Sequence, residues 1–504
     1  MNLSRKNLGM IRQRADGSVP ADKIFDLPEK ILQFGTGVLL RALPDYFVDK
    51  ANRLGIFNGR ILVVKSTASG DTEAFEKQDN LYSLITRGVQ DGKSINKRWI
   101  SAAISRVMSA TGQWKEILDA ASNPELRIVI SNTTEVGLQL VMESIYQDPP
   151  ASFPAKLLAF LHRRFAVFGG AADAGMVIIP TELIPDNGKL LKSILFELCA
   201  YNKLEPAFVV WLDRHNRFCS SLVDRIVPGK PDAQLKTLLE EPGGYTDDLM
   251  TICEPYRLWA IEGDASVRAL LSFHTVDKGV VITPDITRFR ELKLRMLNAT
   301  HTLSCGFAFL SGFRTVRAAM EDEIFETYIR SLMMDEIGQA IPVEIPTEEI
   351  REFGRKVLDR FRNPYLQHQW ISITMQYSSK IAKRVVPVLQ RYVELYRRPP
   401  ELICMGFAAY LLFMRPVKKE GDQYFGILDN QYYPIQDDRA GYFHGLWEER
   451  TVDHIVQKVL SNTDFWNDDL TRLEGFADCV TRKMKNFIRS GTMHEISEYH
   501  SPVK

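Results

Sequence analysis

The segment KLRMLNATHTL, residues 293–303, carries a lysine, an asparagine and a histidine whose types suit chemistry at a carbonyl group. On an α-helix, which turns roughly 100° per residue, Asn298 lies roughly 140° and His301 roughly 80° round from Lys293, so all three can face one cavity. Reducing a ketone places negative charge on its oxygen, which requires a proton donor and hydrogen-bond donors. Lys293 can donate the proton, Asn298 can bind the oxygen and His301 can orient a neighbouring hydroxyl. The alternative is a core helix with three ordinary polar residues, and spacing alone does not decide.

A second chemical feature lies in ILQFGTGVLLRALPDYF, where Gly35 and Gly37 follow an apolar run and precede a helical pattern. Such a turn is typical of dinucleotide binding, because the first glycine permits a tight turn and the second lets the backbone approach a pyrophosphate. The third glycine of the usual fingerprint is replaced by Leu40. The alternative is a tight turn that binds no ligand.

Two further segments bear on a cofactor. NAD-binding folds often place an acidic residue after the second strand, but VVKSTASGD offers Lys65 before any acid. Because Lys65 can tolerate a 2′-phosphate, these residues do not decide between NAD and NADP as the cofactor. SNTTEVG, residues 131–137, puts small hydroxyl side chains where the nicotinamide half of a cofactor would lie, or else it caps a helix.

The elements that position these segments fall into two halves. Short apolar runs in the first half alternate with helical patterns, which predicts βαβ units and a largely parallel sheet. The predicted strands are KILQF (30–34), RILVVK (60–65), LRIVISN (126–132), GMVIIP (175–180), PAFVVWL (206–212) and VVITPDI (280–286).

From about Arg288 onward long helical patterns follow one another, among them residues 346–361, 369–396, 401–415 and 463–491, while 421–442 is predicted as a loop. The fold class is therefore α/β with a largely parallel sheet over 1–285, followed by an all-α domain over 286–504. The resemblance described below implies that the first is a Rossmann-type dinucleotide-binding domain and the second a substrate-binding and catalytic domain.

Composition narrows the class of protein. The 63 basic and 63 acidic residues leave no net charge to attract nucleic acid or an anionic membrane. Six cysteines without a CxxC pair argue against a zinc site and a disulfide framework, so no metal is expected. The N-terminal residues lack the apolar region of a secretory signal, and no apolar run is long enough for a membrane span. We expect a reduced, cytoplasmic protein that acts on a small molecule. Its oligomeric state stays open between monomer and dimer.

In this order along the chain, GTGVLLRA, SNTTEVG, ELIPDNG, FCSSLVDRIVPG and KLRMLNATH resemble the motifs of the polyol-specific long-chain dehydrogenases, the mannitol dehydrogenase family. That resemblance implies a Rossmann-type domain, a helical C-terminal domain, an active site between them and metal-independent reduction with a nicotinamide cofactor. It implies cofactor contacts from Phe34, Gly35, Thr36, Gly37, Arg41, Asn132, Thr133, Thr134 and Glu135.

The same resemblance implies roles for the catalytic set. Lys293 is the general acid and base, and Asn298 and Asn187 form the hydrogen-bond site for the reacting oxygen. His301 binds a substrate hydroxyl. Residues that border or bind the substrate are Asp224, Arg225 and Lys380.

One departure concerns the substrate. Polyol-acting members carry an arginine where this chain has Ser372, whereas QDNLYSLITRG, FRNPYLQHQWISI and YPIQDD resemble the branch that acts on uronic acids. A substrate carboxylate needs a cation, for which Lys380 is the candidate, with His368 close by. That branch resembles this chain in lacking the acid after strand two, so NAD is the expected cofactor and NADP is not excluded. We expect reduction of a keto-sugar acid; a neutral polyol substrate and a nucleotide sensor without turnover are the alternatives.

Overall fold

The computed structural model describes residues 1–13, 19–67, 72–133, 136–447 and 451–500. Two compact units account for the chain, one formed by residues 1–87 and 94–286 and the other by residues 88–93 and 287–504. Each is described below by itself.

The N-terminal unit is built around a parallel sheet. Its strands are β1 Glu29–Phe34, β2 Arg60–Lys65, β3 Tyr82–Gln90, β4 Lys93–Ser101, β5 Ile104–Ser109, β6 Ile128–Ser131, β7 Val177–Pro180, β8 Arg217–Phe218, β9 Ser221–Asp224, β10 Thr251–Cys253, β11 Leu258–Glu262 and β12 Val280–Thr283. Within the described residues, six of them form one sheet in the order β5-β2-β1-β6-β7-β8, and all five neighbouring pairs are parallel. Counted along the chain, this is the order 3-2-1-4-5-6 of the doubly wound dinucleotide-binding fold.

The central strands are apolar on both faces. In β1, Ile31 packs in one core and Leu32 and Phe34 in the other. In β2, Ile61 and Val63 alternate in the same way with Leu62 and Val64. Since successive side chains of a strand point to opposite faces, the sheet is covered on both sides, as parallel sheets require. The predicted α/β fold with a parallel sheet is confirmed.

Helices connect the strands of this unit. They are α1 Leu8–Arg12, α2 Val38–Ala42, α3 Pro44–Arg53, α4 Glu73–Lys77, α5 Trp114–Asp119, α6 Phe153–Val167, α7 Asn187–Tyr201, α8 Pro206–His215, α9 Ala233–Glu240 and α10 Ala265–Leu270.

Helix α8 corrects a prediction, because PAFVVWL was expected to be a strand. Pro206 occupies the first turn, where its missing N–H costs nothing, and Phe208, Trp211 and Leu212 are buried at helical spacing. A short apolar run does not by itself distinguish a strand from a buried helix.

The second unit is largely helical, as predicted. Its α-helices are α11 Thr287–Leu292, α12 Thr300–Leu310, α13 Val316–Glu321, α14 Glu323–Ser331, α15 Thr347–Phe361, α16 Trp370–Ile373, α17 Tyr377–Lys380, α18 Val386–Tyr396, α19 Glu401–Phe413, α20 Ala440–Trp447, α21 Val452–Leu460, α22 Thr463–Trp466, α23 Phe476–Ser490 and α24 Thr492–His500. Three π-helical segments interrupt them: Lys293–Ala299, Leu332–Ile337 and Ile381–Val385. No helix within the described ranges combines the length and apolar character needed to cross a lipid bilayer.

Two predictions for this unit were wrong in detail. Residues 369–396 are not one helix, because Gln376 adopts a left-handed conformation (φ 52°) and separates α16 from α17. Residues predicted as a loop instead form a small antiparallel sheet with strands β13 Lys418–Glu420, β14 Gln423–Leu428 and β15 Gln431–Ile435. Asp429 and Asn430 both have positive φ, which is the conformation of a tight hairpin turn.

Candidate functional site

The glycine turn of the N-terminal unit lies where the strand order of the sheet reverses. Phe34 pairs with Val64 on one side and with Ser131 on the other. The backbone N–H of Gly35 donates to Val64 (3.0 Å), and that of Asn132 donates to Phe34 (3.1 Å). Ligands of doubly wound folds bind at this point, outside the carboxyl ends of the strands.

The two glycines of the turn differ in backbone conformation and in the space around them. Gly35 has φ +128°, and a Cβ there would lie 2.9 Å from the carbonyl oxygen of Asn132. Gly37 has φ −65°, and a Cβ there would meet no atom within 4 Å. Gly35 is therefore required by the fold itself, whereas Gly37 leaves open space beside exposed backbone. That open space is compatible with the close approach of a pyrophosphate.

The end of β6 is held by a buried carboxylate that sequence reasoning missed. Glu182 accepts hydrogen bonds from Ser131 Oγ (3.1 Å) and from both the backbone N–H (2.9 Å) and hydroxyl (3.0 Å) of Thr133. Burial raises the pKa of Glu182, and the Thr133 hydrogen bonds partly offset that rise. The amide of Asn132 donates to Thr181 (3.2 Å to its carbonyl oxygen). The expected cofactor residues Thr134 and Glu135 lie outside the described residues.

Other expected cofactor residues point into the protein. The ring of Phe34 belongs to the core, 5.0 Å from that of Phe153, so only its backbone borders the turn, next to the half-buried Thr36. Arg41 is buried and donates to the carbonyl oxygen of Leu249, so its guanidinium is not a cation displayed at the turn. Lys65 is also buried and donates to the carbonyl oxygen of Thr67 (2.5 Å).

The expected contact of Asn187 with a substrate oxygen stays a prediction, because its side chain is engaged within the protein. Its side chain is fully buried, and Nδ2 donates to the carbonyl oxygens of Pro180 (3.1 Å), Glu182 (3.0 Å) and Ser221 (3.1 Å). Its Oδ1 accepts from the backbone N–H of Ser221 (2.9 Å). Buried backbone groups at strand ends need partners, and this amide supplies them for β7 and β9. In this structure Asn187 therefore positions strands.

Asp224 and Arg225 follow at the end of β9, and both are buried. The guanidinium of Arg225 donates to the carbonyl oxygens of Ala42 and Glu254 (3.0 Å to the latter). These contacts hold the end of α2 against the strands of the same unit. The expectation that Asp224 and Arg225 border the substrate stays a prediction.

The Lys293 segment of the C-terminal unit is a π-helix and not the α-helix that was assumed. In a π-helix each N–H bonds to the carbonyl five residues earlier, so residues five apart lie one turn apart on the same face. Lys293 and Asn298 have this spacing. His301 follows three residues later, in the first turn of α12. The π-helix brings the three side chains closer to one face than α-helical geometry predicts.

His301 lies in an aromatic enclosure. Its ring stacks on Phe361 with centroids 4.2 Å apart, and it meets His368 (5.3 Å) and Trp370 (5.9 Å) edge-on. Burial, together with the positive charges of His368 and three neighbouring cations, holds the pKa of His301 well below its usual range. The imidazole is therefore neutral. Its Nε2 is buried and has no hydrogen-bond partner among the residues that the structure describes.

The three cations near His301 are Arg360, Lys380 and Arg384. Lys380 donates to the carbonyl oxygen of Ile373 (2.8 Å), and burial, followed by the nearby Arg384, lowers its pKa. Arg384 donates to Thr302 Oγ1 (3.1 Å). Sequence reasoning found Lys380 but missed both arginines. The signal for Arg384 was its spacing of four residues from Lys380, which places two cations one helical turn apart.

Two family models match most of the chain. Residues 29–274 match the model of the mannitol dehydrogenase Rossmann domain, and residues 285–488 match that of the mannitol dehydrogenase C-terminal domain. These matches agree with the resemblance drawn from the motifs.

Curated relatives extend over nearly the whole chain. A protein named altronate oxidoreductase from Pectobacterium carotovorum is 36% identical over 483 residues, which cover 94% of this chain and 97% of the relative. Proteins of the same name from Halalkalibacterium halodurans (34%, covering 94% of each chain) and Bacillus subtilis (35%, covering 95% and 96%) are similar to the same extent.

Solved structures share the fold at lower identity. Pseudomonas fluorescens mannitol 2-dehydrogenase, solved as a ternary complex with NAD and D-mannitol, covers 99% of both chains with a TM-score of 0.69 and 23% identity. A substrate-free D-sorbitol dehydrogenase covers 98% of this chain and 100% of its own, with a TM-score of 0.79 and 20% identity. Both likenesses concern the fold.

Proposed function

The chain belongs to the mannitol dehydrogenase family and is an oxidoreductase of CH–OH groups, and from this premise we propose that it reduces D-tagaturonate reversibly to D-altronate with NAD(H). The observation that carries the chemistry is the common face of Lys293 and Asn298 on the π-helix, followed by His301 with its unpartnered nitrogen. The sugar-acid substrate is supported by the relatives named altronate oxidoreductase.

The cofactor belongs to the glycine turn in this proposal. The positive φ of Gly35, the open space over Gly37 and the reversal of strand order fit a dinucleotide. The backbones of Phe34, Thr36, Asn132 and Thr133 border the same point. A nicotinamide cofactor bound there supplies the hydride that reduces the ketone carbon. NAD is favoured over NADP because the ammonium of Lys65 already donates to a backbone carbonyl.

The proton chemistry belongs to the C-terminal unit. Lys293 donates a proton to the ketone oxygen as negative charge develops on it, and it accepts that proton in the reverse direction. The amide of Asn298 donates a hydrogen bond to the same oxygen. His301, held neutral, uses Nε2 to orient a neighbouring substrate hydroxyl. Lys380 and His368 border the remainder of the substrate.

In this proposal, the residues of the N-terminal unit that were expected at the substrate have a positioning role. Asn187 fixes the ends of β7 and β9, and Arg225 fixes the end of α2. Arg41 ties the same helix to Leu249. We propose the cytoplasm as the location, because all six cysteines are buried free thiols.

The test is a substrate panel that follows NADH absorbance. The purified protein is given D-tagaturonate, D-fructuronate and D-fructose, with NADPH as the alternative reductant. We expect the highest kcat/KM with D-tagaturonate and NADH. Faster turnover of D-fructuronate would transfer the assignment to that stereoisomer, and the absence of turnover on all three would show that the proposal is wrong.

A further inference from the structure

Lys380 and Arg384 are half-buried cations near His301, and charges that are withdrawn from water are normally paired. Among the described residues, neither Lys380 nor Arg384 forms an ion pair, and the hydrogen bonds of their side chains go to Ile373 O and Thr302 Oγ1. Burial is the largest influence on both groups and lowers the pKa of each. Two half-buried cations thus lie near each other, and neither forms an ion pair with an acidic side chain of the described residues.

The backbone around Arg384 is fixed by a proline and a second arginine. Pro387 has no N–H, so the carbonyl of Lys383, four residues earlier, loses its helical partner. Arg295 takes over that carbonyl (2.8 Å) and the carbonyl of Arg384 (2.7 Å). Arg295 is itself held by Glu291 (2.9 Å). It therefore joins the π-helix of Lys293 to the π-helical segment Ile381–Val385.

The guanidinium of Arg384 consequently lies close to the catalytic helix. Its partner Thr302 is the residue after His301, and Thr302 donates in turn to the carbonyl oxygen of Asn298 (2.7 Å). A guanidinium has five N–H donors in a planar fork that matches a carboxylate, and Thr302 accepts from only one of its nitrogens. Ser372, by contrast, is exposed, donates to the carbonyl oxygen of Gln369 (2.7 Å) and supplies no cation.

We propose that Arg384, with Lys380 one turn before it, binds the carboxylate of the substrate and makes this site specific for sugar acids over neutral polyols. The proposal rests on the proposed function of the same site and adds the residue that recognises the acid. The buried, unpartnered Nε2 of His301 next to this pair indicates that the region is built to receive a polar ligand.

The experiment compares Arg384→Gln, Arg384→Lys and Lys383→Gln with the wild type. Lys383 is the matched control, since it is the adjacent cation and its side chain is exposed. For Arg384→Gln we expect KM for D-tagaturonate to rise about 10- to 100-fold, with a smaller change in kcat and no rise in KM for D-fructose. Arg384→Lys keeps the charge but loses the planar fork of N–H donors, so its KM for D-tagaturonate should lie between those of the wild type and Arg384→Gln. The KM of Lys383→Gln should match that of the wild type.

Binding of D-altronate in the presence of NADH, a pair that cannot turn over, is measured by calorimetry on the same proteins. If D-tagaturonate is reduced but its KM does not depend on Arg384, the inference is overturned and the proposed function stands. If no uronate is reduced but D-altronate binds and requires Arg384, the inference stands and the proposed function is wrong. Absent or Arg384-independent binding overturns the inference. Should Arg384→Gln fail to fold, Arg384→Lys decides, and wild-type KM and affinity in it would overturn the inference.

Discussion

Lys293 is the residue on which the proposed chemistry depends most directly. Replacing it with alanine removes the proton donor, so we expect kcat to fall by about 10²- to 10⁴-fold, the usual contribution of general acid–base catalysis. The Kd of NADH, measured by fluorescence, should not change, because the glycine turn belongs to the other unit. Near wild-type kcat in Lys293→Ala would remove this residue from the mechanism.

Asp45 offers a second prediction at the scale of one residue. Its carboxyl is fully buried in the first turn of α3, and burial raises its pKa to about 8, with Gln33 and Arg41 partly offsetting the rise. The protonated form is therefore favoured by folding. Its contribution to stability is complete below the unfolded pKa near 3.8 and is lost as the pH rises through 8, by at most ~1.4 kcal/mol per pH unit.

Asp45→Asn replaces the acid with a neutral group of the same shape. We expect the Tm of this variant to exceed that of the wild type by more at pH 9 than at pH 5, because the wild type loses stability between the unfolded pKa near 3.8 and the folded pKa of about 8. Asp173→Asn, at an exposed position, controls for the loss of a carboxylate. An equal Tm difference at both pH values would contradict the assignment of a buried, protonated Asp45.

At the scale of elements, the turn between β1 and α2 separates a structural glycine from a ligand-facing one. Gly35→Ala puts a Cβ 2.9 Å from the carbonyl oxygen of Asn132 at φ +128°, so we expect a loss of stability of ~1–3 kcal/mol. Gly37→Ala meets no atom within 4 Å and should leave Tm nearly unchanged while raising the Kd of NADH. Thermal melts and NADH fluorescence on both variants measure this. An unchanged Kd in Gly37→Ala would mean that the cofactor does not approach this backbone.

The π-helix is the element that reorganises the catalytic set. The sequence singled out Lys293, Asn298 and His301 as a candidate set, but their angles were calculated for an α-helix. Arg295 of this π-helix donates to carbonyl oxygens 88 and 89 residues further along the chain. The periodicity of a local segment cannot predict hydrogen bonds to such distant residues.

At the scale of the whole molecule, the proposal assigns the cofactor and the substrate acid to different units. The two ligands should therefore slow hydrogen exchange in different segments of the chain. NADH should slow exchange in residues 33–43 and 128–133, and D-altronate should slow it in residues 293–304 and 380–384. The hairpin at 423–435 should respond to neither ligand. Protection by NADH confined to residues beyond 287 would contradict the assignment.

The sequence by itself determined the parallel sheet, the glycine turn, the helical second half and which residues form the candidate catalytic set. These depend on local signals: apolar runs buried on both faces, glycine at a positive φ, and helical periodicity. The same signals gave wrong predictions for residues 206–212 and 421–442. A short apolar run or a loop-like composition does not show which distant residues the segment packs or pairs with.

Only the tertiary structure decided which polar groups are used inside the protein and which remain for a ligand. Asn187 seemed catalytic by motif, yet strand ends up to 34 residues away take up its amide. Arg384 drew no attention in the sequence, yet it lies half-buried near His301 and forms no ion pair with an acidic side chain of the described residues. The physical reason is that hydrogen bonding and burial are set by groups distant along the chain, whereas residue type and spacing report only what is near.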